Sequence, residues 1–337
     1  MAARPTVAET QPTGGQATGG ATSTRERAHP VEVSLALDWT PNTNHTGIYV
    51  AQERGWYADQ GVKLRLLPYV EGSSTDQLVS SGKATFGISF EETVVQARAA
   101  GQDVVSIAAI IQHNTSALAT LRSSGLDRPR KLDGKLYAGY GAPTEEPIIS
   151  TMIRSDGGKG TYKTVTANLG VYEALKARRA DFAWLYMGVE GVQAKREGVK
   201  LNAFYMQDYG VPDFYTPVLV TSRKQIERNP EAVYRFMAAT ARGYEYAIAH
   251  PDEAAKLLVS GAGKAAGLDP NFARDSQRWL SPRYKGAEAR WGTQTLKKWT
   301  DYPSFMYKAK KVLDASGKPA VKMPDAKSYF TNEFLPR

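Results

Sequence analysis

Cysteine is absent from all 337 residues, which excludes disulfides, thiolate metal sites and a cysteine nucleophile. Histidine is scarce: His29, His45, His113 and His250 are the whole set, and none has the spacing of a metal site. No apolar run approaches the ~20 residues that span a bilayer. There is no GxSxG elbow, no HExxH, no P-loop, and no GxGxxG between a strand and a helix. Basic residues exceed acidic ones by a formal +9, yet Lys and Arg are scattered, with no run that makes a nucleic-acid arm. Most of that excess reads as solvated surface, with attraction to an anionic membrane surface as the weaker reading. The expectation is a chain without metal or cofactor and without a nucleic-acid partner.

The length exceeds one typical domain of ~100–200 residues and suggests two. Residues 1–30 stand apart, rich in Gly, Thr, Pro and Gln and almost without large apolar side chains. Such a segment cannot bury enough surface to offset its ordering entropy and is expected to be a disordered tether. It resembles the tether that follows the lipid-modified cysteine of bacterial lipoproteins, although neither that cysteine nor a signal segment stands in this chain, as in an engineered truncation.

From Val31 the pattern alternates strand and helix. Val31, Val33, Leu35 and Leu37 alternate with Glu32, Ser34, Ala36 and Asp38, the period of a half-buried strand. A helix over Thr46–Arg54, a strand about Val62–Leu66, a helix from Asp76, a strand at Thr85–Ser89, a helix at Glu91–Ala100 and an apolar strand at Val104–Ile111 complete a first α/β lobe. The Pro- and charge-rich stretch Gly125–Gly134 separates it from a second alternation that ends near Met206. Tyr209–Thr221 carries a strand that returns towards the first lobe, and the remainder is mostly helical, with Pro230 and Pro251 in first turns. The expected division is residues 31–124 with 218–337 as lobe 1 and residues 125–217 as lobe 2, with a cleft between them.

The first candidate site is LDWTPNTNHTG, Leu37–Gly47, which crowds Asp38, Trp39, Asn42, Asn44 and His45 just after a strand. In open α/β sheets ligands bind outside the carboxyl ends of the strands, so position and chemistry agree. Glu91 and Glu92 open a helix, where carboxylates complement the helix dipole, and their place beside the cleft also points one of them, Glu91, at a ligand amine. In WLYMGVEGVQA, Tyr186 and Glu190 flank a strand-to-helix turn. Tyr186 is suited to stacking and Glu190 to accepting charge-assisted hydrogen bonds from an amino-heterocycle. His113, in QHNTSA, is a weaker candidate for the cleft, and His29 and His250 read as surface residues.

These residues carry a resemblance. LDWTPNTNHTGIYVAQERGWY, then GVKLRLLPYVEGSS, the FGIS–EE segment and NPEAVYRFMAATARGYEYAIAHPDEA together resemble the bacterial NMT1/THI5-like substrate-binding proteins of ABC importers, from Val31 to the C-terminus. The resemblance implies a type II periplasmic-binding-protein fold, two α/β lobes closing on a small molecule. It also implies a monomer outside the cytoplasm, periplasmic or lipid-anchored, that serves a membrane permease. The most similar branch binds formylaminopyrimidine or hydroxymethylpyrimidine, precursors of the thiamin pyrimidine. Carried over by position, Trp39 stacks on the ring with Asn42, Asn44 and His45 nearby, Tyr186 and Glu190 act from the opposite lobe, and Tyr215 lies near the crossing segment. Val189 stands where a bulkier aromatic is expected, which leaves room for riboflavin, the ligand of a related branch. Fungal members are enzymes that make the pyrimidine from histidine and pyridoxal phosphate with a cysteine-rich iron motif, and this chain has no cysteine. Sulfonate, taurine and nitrate binders share the broader fold but call for a cationic anion site, and LDWTPNTNHTG holds no Arg or Lys. A nonbinding interaction protein is the remaining class.

Overall fold

The computed structural model describes Met1 and residues 30–167 and 170–336. The expected tether therefore lies almost wholly outside the described residues. Among the described residues ten strands make two sheets: β1 (Val31–Ala36), β2 (Val62–Leu67), β3 (Phe86–Ser89), β4 (Val105–Ala109), β5 (Ser116–Leu121), β6 (Leu136–Gly139), β7 (Lys163–Thr166), β8 (Phe182–Tyr186), β9 (Leu201–Tyr205) and β10 (Val218–Thr221). The first sheet has the order β2-β1-β3-β10-β4 and the second β7-β6-β8-β5-β9. β1 pairs in parallel with β2 and β3, and β10 runs antiparallel between β3 and β4. In the second sheet β6 pairs in parallel with β7 and β8, whereas β5 runs antiparallel to β8 and β9.

This topology corrects the expected lobe boundary. Ser116–Leu121 falls in the stretch assigned to lobe 1, yet β5 lies between β8 and β9 in the second sheet. The chain crosses between Ala109 and Ser116, then back between Tyr205 and Val218. The physical reason is that SALATL is a short run of mostly small side chains, buried on both faces, without the polar alternation or turn residues that would announce it. Gly125–Gly134 is instead a loop of lobe 2, where Asp156 receives the guanidinium of Arg128 at 2.8 Å and the Arg130 N–H at 2.9 Å.

Helices cover both faces of the first sheet, so β1 is more deeply buried than a half-exposed strand. Its alternate residues enter different cores: Val33 and Leu35 pack in one and Ala36 in another. The first core is roofed by the helix Pro230–Ala249, whose Val233, Phe236, Met237, Ala241 and Tyr244 form the buried stripe set by their helical spacing. Phe236 stacks on Phe86 with ring centroids 3.9 Å apart. The helix Thr46–Glu53 lies against it through two glycines: a Cβ on Gly243 would stand 1.9 Å from the carbonyl oxygen of Gly47. That close approach fixes the loop Leu37–His45 just ahead of the helix.

The second core draws on both lobes, with Ala109 and Val220 from the first sheet, Leu118, Tyr137 and Trp184 from the second, and Trp299 and Tyr302 from the helix Lys298–Lys308. The two crossing segments are clasped beside it. Asp213 accepts the Asn114 N–H at 3.0 Å, meets His113 Nδ1 at 2.7 Å and pairs with Lys298 at 2.6 Å. Among the described residues no helix is long and apolar enough to cross a membrane.

Candidate functional site

Aromatic and carboxylate residues gather at the carboxyl ends of the parallel strands in both lobes. On lobe 1, Asp38 and Trp39 follow β1, Tyr69 follows β2, and Glu91 and Glu92 follow β3. On lobe 2, Tyr140 follows β6 and Tyr186 ends β8.

Trp39 is half-buried and packs on Tyr69, ring centroids 4.9 Å apart and planes tilted by 37°. Its loop is locked from within. Asn42 caps the short turn Thr43–His45, its Oδ1 accepting the Asn44 N–H at 2.9 Å and its own N–H donating to His45 Nδ1 at 3.4 Å. With Nδ1 an acceptor, the other ring nitrogen of His45 donates to Asp38 Oδ1 at 2.8 Å. His45 is fully buried, so it holds Asp38 in place rather than facing a ligand. Asn44 is fixed through its backbone, its carbonyl accepting the Tyr244 hydroxyl at 2.7 Å. Of the loop residues expected at the site, Trp39 packs on Tyr69, Asn42 caps and His45 bonds Asp38. Asp38 is the polar group they present.

Glu91 is not the cleft carboxylate. It is fully buried, its Oε2 accepts the Tyr215 N–H at 2.8 Å, and its own N–H donates to the Tyr215 carbonyl at 3.0 Å, which ties the helix Glu91–Ala99 to the second crossing segment. Tyr215 is likewise a clasp residue, fully buried, with its hydroxyl accepting the Thr295 N–H at 2.9 Å and Lys298 4.5 Å above its ring. The charge of the neighbouring Glu92 acts instead on the Tyr186 hydroxyl of lobe 2. One of its oxygens, Oε2, is buried without a partner, and burial, with the nearby charge of Asp76, pushes its carboxyl up to about 8. Asp76 is itself raised by burial to about 6, against two hydrogen bonds from Ser89 at 2.8 and 3.0 Å.

On lobe 2, Glu190 lies in the π-helical turn Met187–Gly191 and its Oε2 accepts the Tyr186 N–H at 3.0 Å. Burial outweighs the backbone N–H groups of Glu190 and Tyr186, and pushes this carboxyl up to about 7. Tyr140 stands with its ring 6.2 Å from that of Tyr186. Glu145 holds the Tyr140 loop, accepting the Tyr140 N–H at 2.8 Å and the Gly141 N–H at 3.2 Å. The Tyr186 hydroxyl is raised well above the usual phenol range by burial and then by Glu92, Glu190, Asp38 and Glu145, two carboxylates from each lobe.

The lobes touch directly at the mouth. Ser276, on the helix Pro270–Lys285, donates to the Gly188 carbonyl at 2.5 Å and bonds Thr43 Oγ1 at 2.6 Å. Gly188 has no room for a side chain there, since a Cβ would stand 2.9 Å from Leu280. Arg196 of lobe 2 pairs with Asp275 at 2.5 Å and Asp269 at 3.4 Å. His113 lies in the hinge clasp and not in the cleft. Tyr69, Tyr140 and Glu92 also sit at strand carboxyl ends, where the rule that points to Trp39 places candidates.

The NMT1/THI5-like family model matches residues 42–254. A formylaminopyrimidine-binding protein of Halalkalibacterium halodurans is 29% identical over 81% of this chain and 84% of its own. A 4-amino-5-hydroxymethyl-2-methylpyrimidine phosphate synthase of Legionella pneumophila is 30% identical over 67% of this chain and 72% of its own. Among solved structures, the alkanesulfonate-binding protein of Xanthomonas axonopodis pv. citri superposes with a TM-score of 0.66 at 12% identity, covering 90% of this chain and 99% of that one. The chain belongs to the NMT1/THI5-like family and has the two-lobed fold of the periplasmic binding proteins.

Proposed function

We propose that this protein is the extracytoplasmic solute-binding component of an ABC importer, and that its lobes capture a flat amino-bearing heterocycle of the aminopyrimidine class. One observation carries the reading: aromatic rings stand on both walls, Trp39 with Tyr69 and Tyr186 with Tyr140, and the charged groups acting on Tyr186 between them are all carboxylates. A planar heterocycle offers a π-face to the rings and an N–H edge to Glu190 and Asp38. A sulfonate or nitrate would meet carboxylates where it needs cations, so the fold likeness to an anion binder does not extend to the ligand. The relative named for formylaminopyrimidine supports formylaminopyrimidine or hydroxymethylpyrimidine as the ligand.

Contacts from both lobes make the ligand favour the state in which the lobes meet, because equal affinity for open and closed forms would shift nothing. Closure joins Ser276 to Gly188 and presents a continuous surface to a membrane permease. We read the chain as a binder and not a synthase, since it has no cysteine and its cleft groups are carboxyls and phenols. The Gly- and Thr-rich segment ahead of Val31 suits a tether to the membrane. A flavin is the second reading, favoured by Val189, a small side chain in the turn between Tyr186 and Glu190. Mass spectrometry of small molecules released by denaturing freshly purified protein separates them. An aminopyrimidine mass is expected; a yellow preparation releasing flavin, or an alkanesulfonate, would overturn it.

A further inference from the structure

The positive charge of the chain is scattered in sequence, but the fold gathers part of it. At the end of the second sheet opposite Tyr140 and Tyr186, every strand carries a Lys or Arg. Lys163 opens β7, Lys135 and Lys200 directly precede β6 and β9, Arg122 directly follows the antiparallel β5, and Arg178 with Arg179 lie in the turn before β8. Backbone bonds stitch these ends together: the Lys163 N–H donates to the Lys135 carbonyl and the Arg122 N–H to the Lys200 carbonyl, both at 2.8 Å. The Arg178 guanidinium donates to Ser123 Oγ, beside Arg122, at 3.1 Å. Lys135 is half-buried and the others are exposed. With neighbouring strands ~4.8 Å apart, the row spreads over about 19 Å.

Cations at this end of an α/β sheet ordinarily complement helix C-termini. That role suits Arg178 and Arg179, which follow the helix Val171–Lys176. It does not suit Arg122, which opens the turn Arg122–Ser124, or Lys135 and Lys163, which follow turn and loop residues. The residues flanking the same end of the first sheet are Pro30, Gly61, Thr85, Val104 and Ser222, none of them charged. Nor is the row neutralised. The ion pairs of lobe 2 among the described residues use other cations. Of the carboxylates at this end, Asp181 accepts the Leu136 N–H at 2.9 Å and Asp133 the Thr161 N–H at 3.0 Å, while Asp127 and Glu197 pair with Lys131 and Lys176, each at 3.0 Å. Like charges at neighbouring strand ends weaken a sheet rather than hold it together.

We propose that this end of lobe 2 docks on an anionic phospholipid surface. A single-stranded nucleic acid calls for aromatic platforms beside the cations. The ring beside the row, Tyr162, is engaged with Tyr137 and Phe182, centroids 5.8 and 5.9 Å away. A stable protein partner calls for a large apolar anchor. Among the described residues the only exposed large hydrophobic side chain of lobe 2 is Val165, at the third position of β7. A bilayer needs neither, since its headgroups present a diffuse plane of negative charge that each Lys or Arg meets separately. The row lies on one lobe and away from the cleft, so docking leaves the cleft open and is indifferent to closure. Nothing in it depends on which ligand the cleft takes.

The test is co-sedimentation of the whole chain with vesicles of phosphatidylcholine alone, or of equal parts phosphatidylcholine and phosphatidylglycerol. Binding is expected to the anionic vesicles only, and is expected to vanish between ~0.1 M and ~1 M salt, where the screening length falls from about 10 Å to about 3 Å. Each cation near the surface corresponds to about fivefold in partitioning, so Arg122→Gln, Lys163→Gln and Lys200→Gln together are expected to lose about a hundredfold. Lys83→Gln, Lys224→Gln and Lys264→Gln together remove the same charge from exposed positions of lobe 1, and are expected to lose less than about threefold. No binding to the anionic vesicles, or equal losses from the two triple variants, would overturn the docking surface. So would retention of duplex DNA or polyglutamate without retention of the vesicles. The lipid and salt comparison in the unmodified protein decides the matter even if a variant does not fold.

Discussion

Glu190 gives a test that needs no ligand. Its carboxyl is pushed from 4.5 to about 7 by burial, so between those values the folded protein holds a proton that the unfolded chain has released. Stability therefore falls as pH rises through this window and levels off above it. At ~1.4 kcal/mol per pKa unit, the full shift is worth about 3.5 kcal/mol. Solvent reaches the half-buried side chain and screens part of this, leaving on the order of 2 kcal/mol between pH 5 and pH 8. Glu190→Gln keeps an oxygen to accept the Tyr186 N–H but cannot ionise. Urea unfolding of both proteins from pH 5 to pH 8 isolates the group. Asp76 and Glu92, raised to about 6 and about 8, contribute the same downward slope to both and cancel in the comparison. The variant is expected to gain on the parent by about 2 kcal/mol across the range. Parallel pH profiles would refute the assignment of Glu190 as a carboxyl enclosed at the junction of the lobes.

Three further outcomes follow from the same geometry. Trp39→Ala is expected to weaken aminopyrimidine binding by roughly 1–3 kcal/mol in calorimetry, in line with base stacking on aromatics, and unchanged affinity would remove Trp39 from the site. His45→Ala leaves the Asp38 carboxylate without its buried donor and is expected to cost roughly 1–3 kcal/mol of stability in urea melts, with a loss of ligand affinity. A variant as stable and as tight as the parent would show that His45 does not hold Asp38. Gly243→Ala forces a methyl group to 1.9 Å from the Gly47 carbonyl oxygen and is expected to lower stability by about 3 kcal/mol or more, read as a fall in the thermal midpoint. An unaltered midpoint would mean the two helices can part without cost.

The sequence made half of the cleft legible because one rule, polar and aromatic residues at strand carboxyl ends, applies to short, well-marked segments. The rule points to Trp39, Tyr186 and Glu190, and Tyr69 and Tyr140 obey it at strands where no polar cluster draws attention to them. The adjacent pair Glu91 and Glu92 is not separable by that rule. Successive residues on a helix point about 100° apart, so one of an adjacent pair faces the cleft and the other the crossing segment, and only the docking of the helix decides which. Asn42 and His45 carry the chemistry expected of ligand contacts, but their hydrogen bonds are spent inside the loop. Ser276 and Tyr302 sit on amphipathic helices whose periodicity marks a buried face without saying which core, or which lobe, that face meets. β5 escaped because an apolar run buried on both sides carries no alternation to read.

The central claim is that the lobes recognise a neutral or cationic amino-heterocycle by stacking and carboxylate edge contacts. Titration calorimetry of the unmodified protein with an aminopyrimidine, with riboflavin and with an alkanesulfonate in parallel tests it most directly. Saturable one-to-one binding of the aminopyrimidine, much tighter than that of the other two, is the expected result. Binding of the sulfonate with no heat from the aminopyrimidine would contradict it.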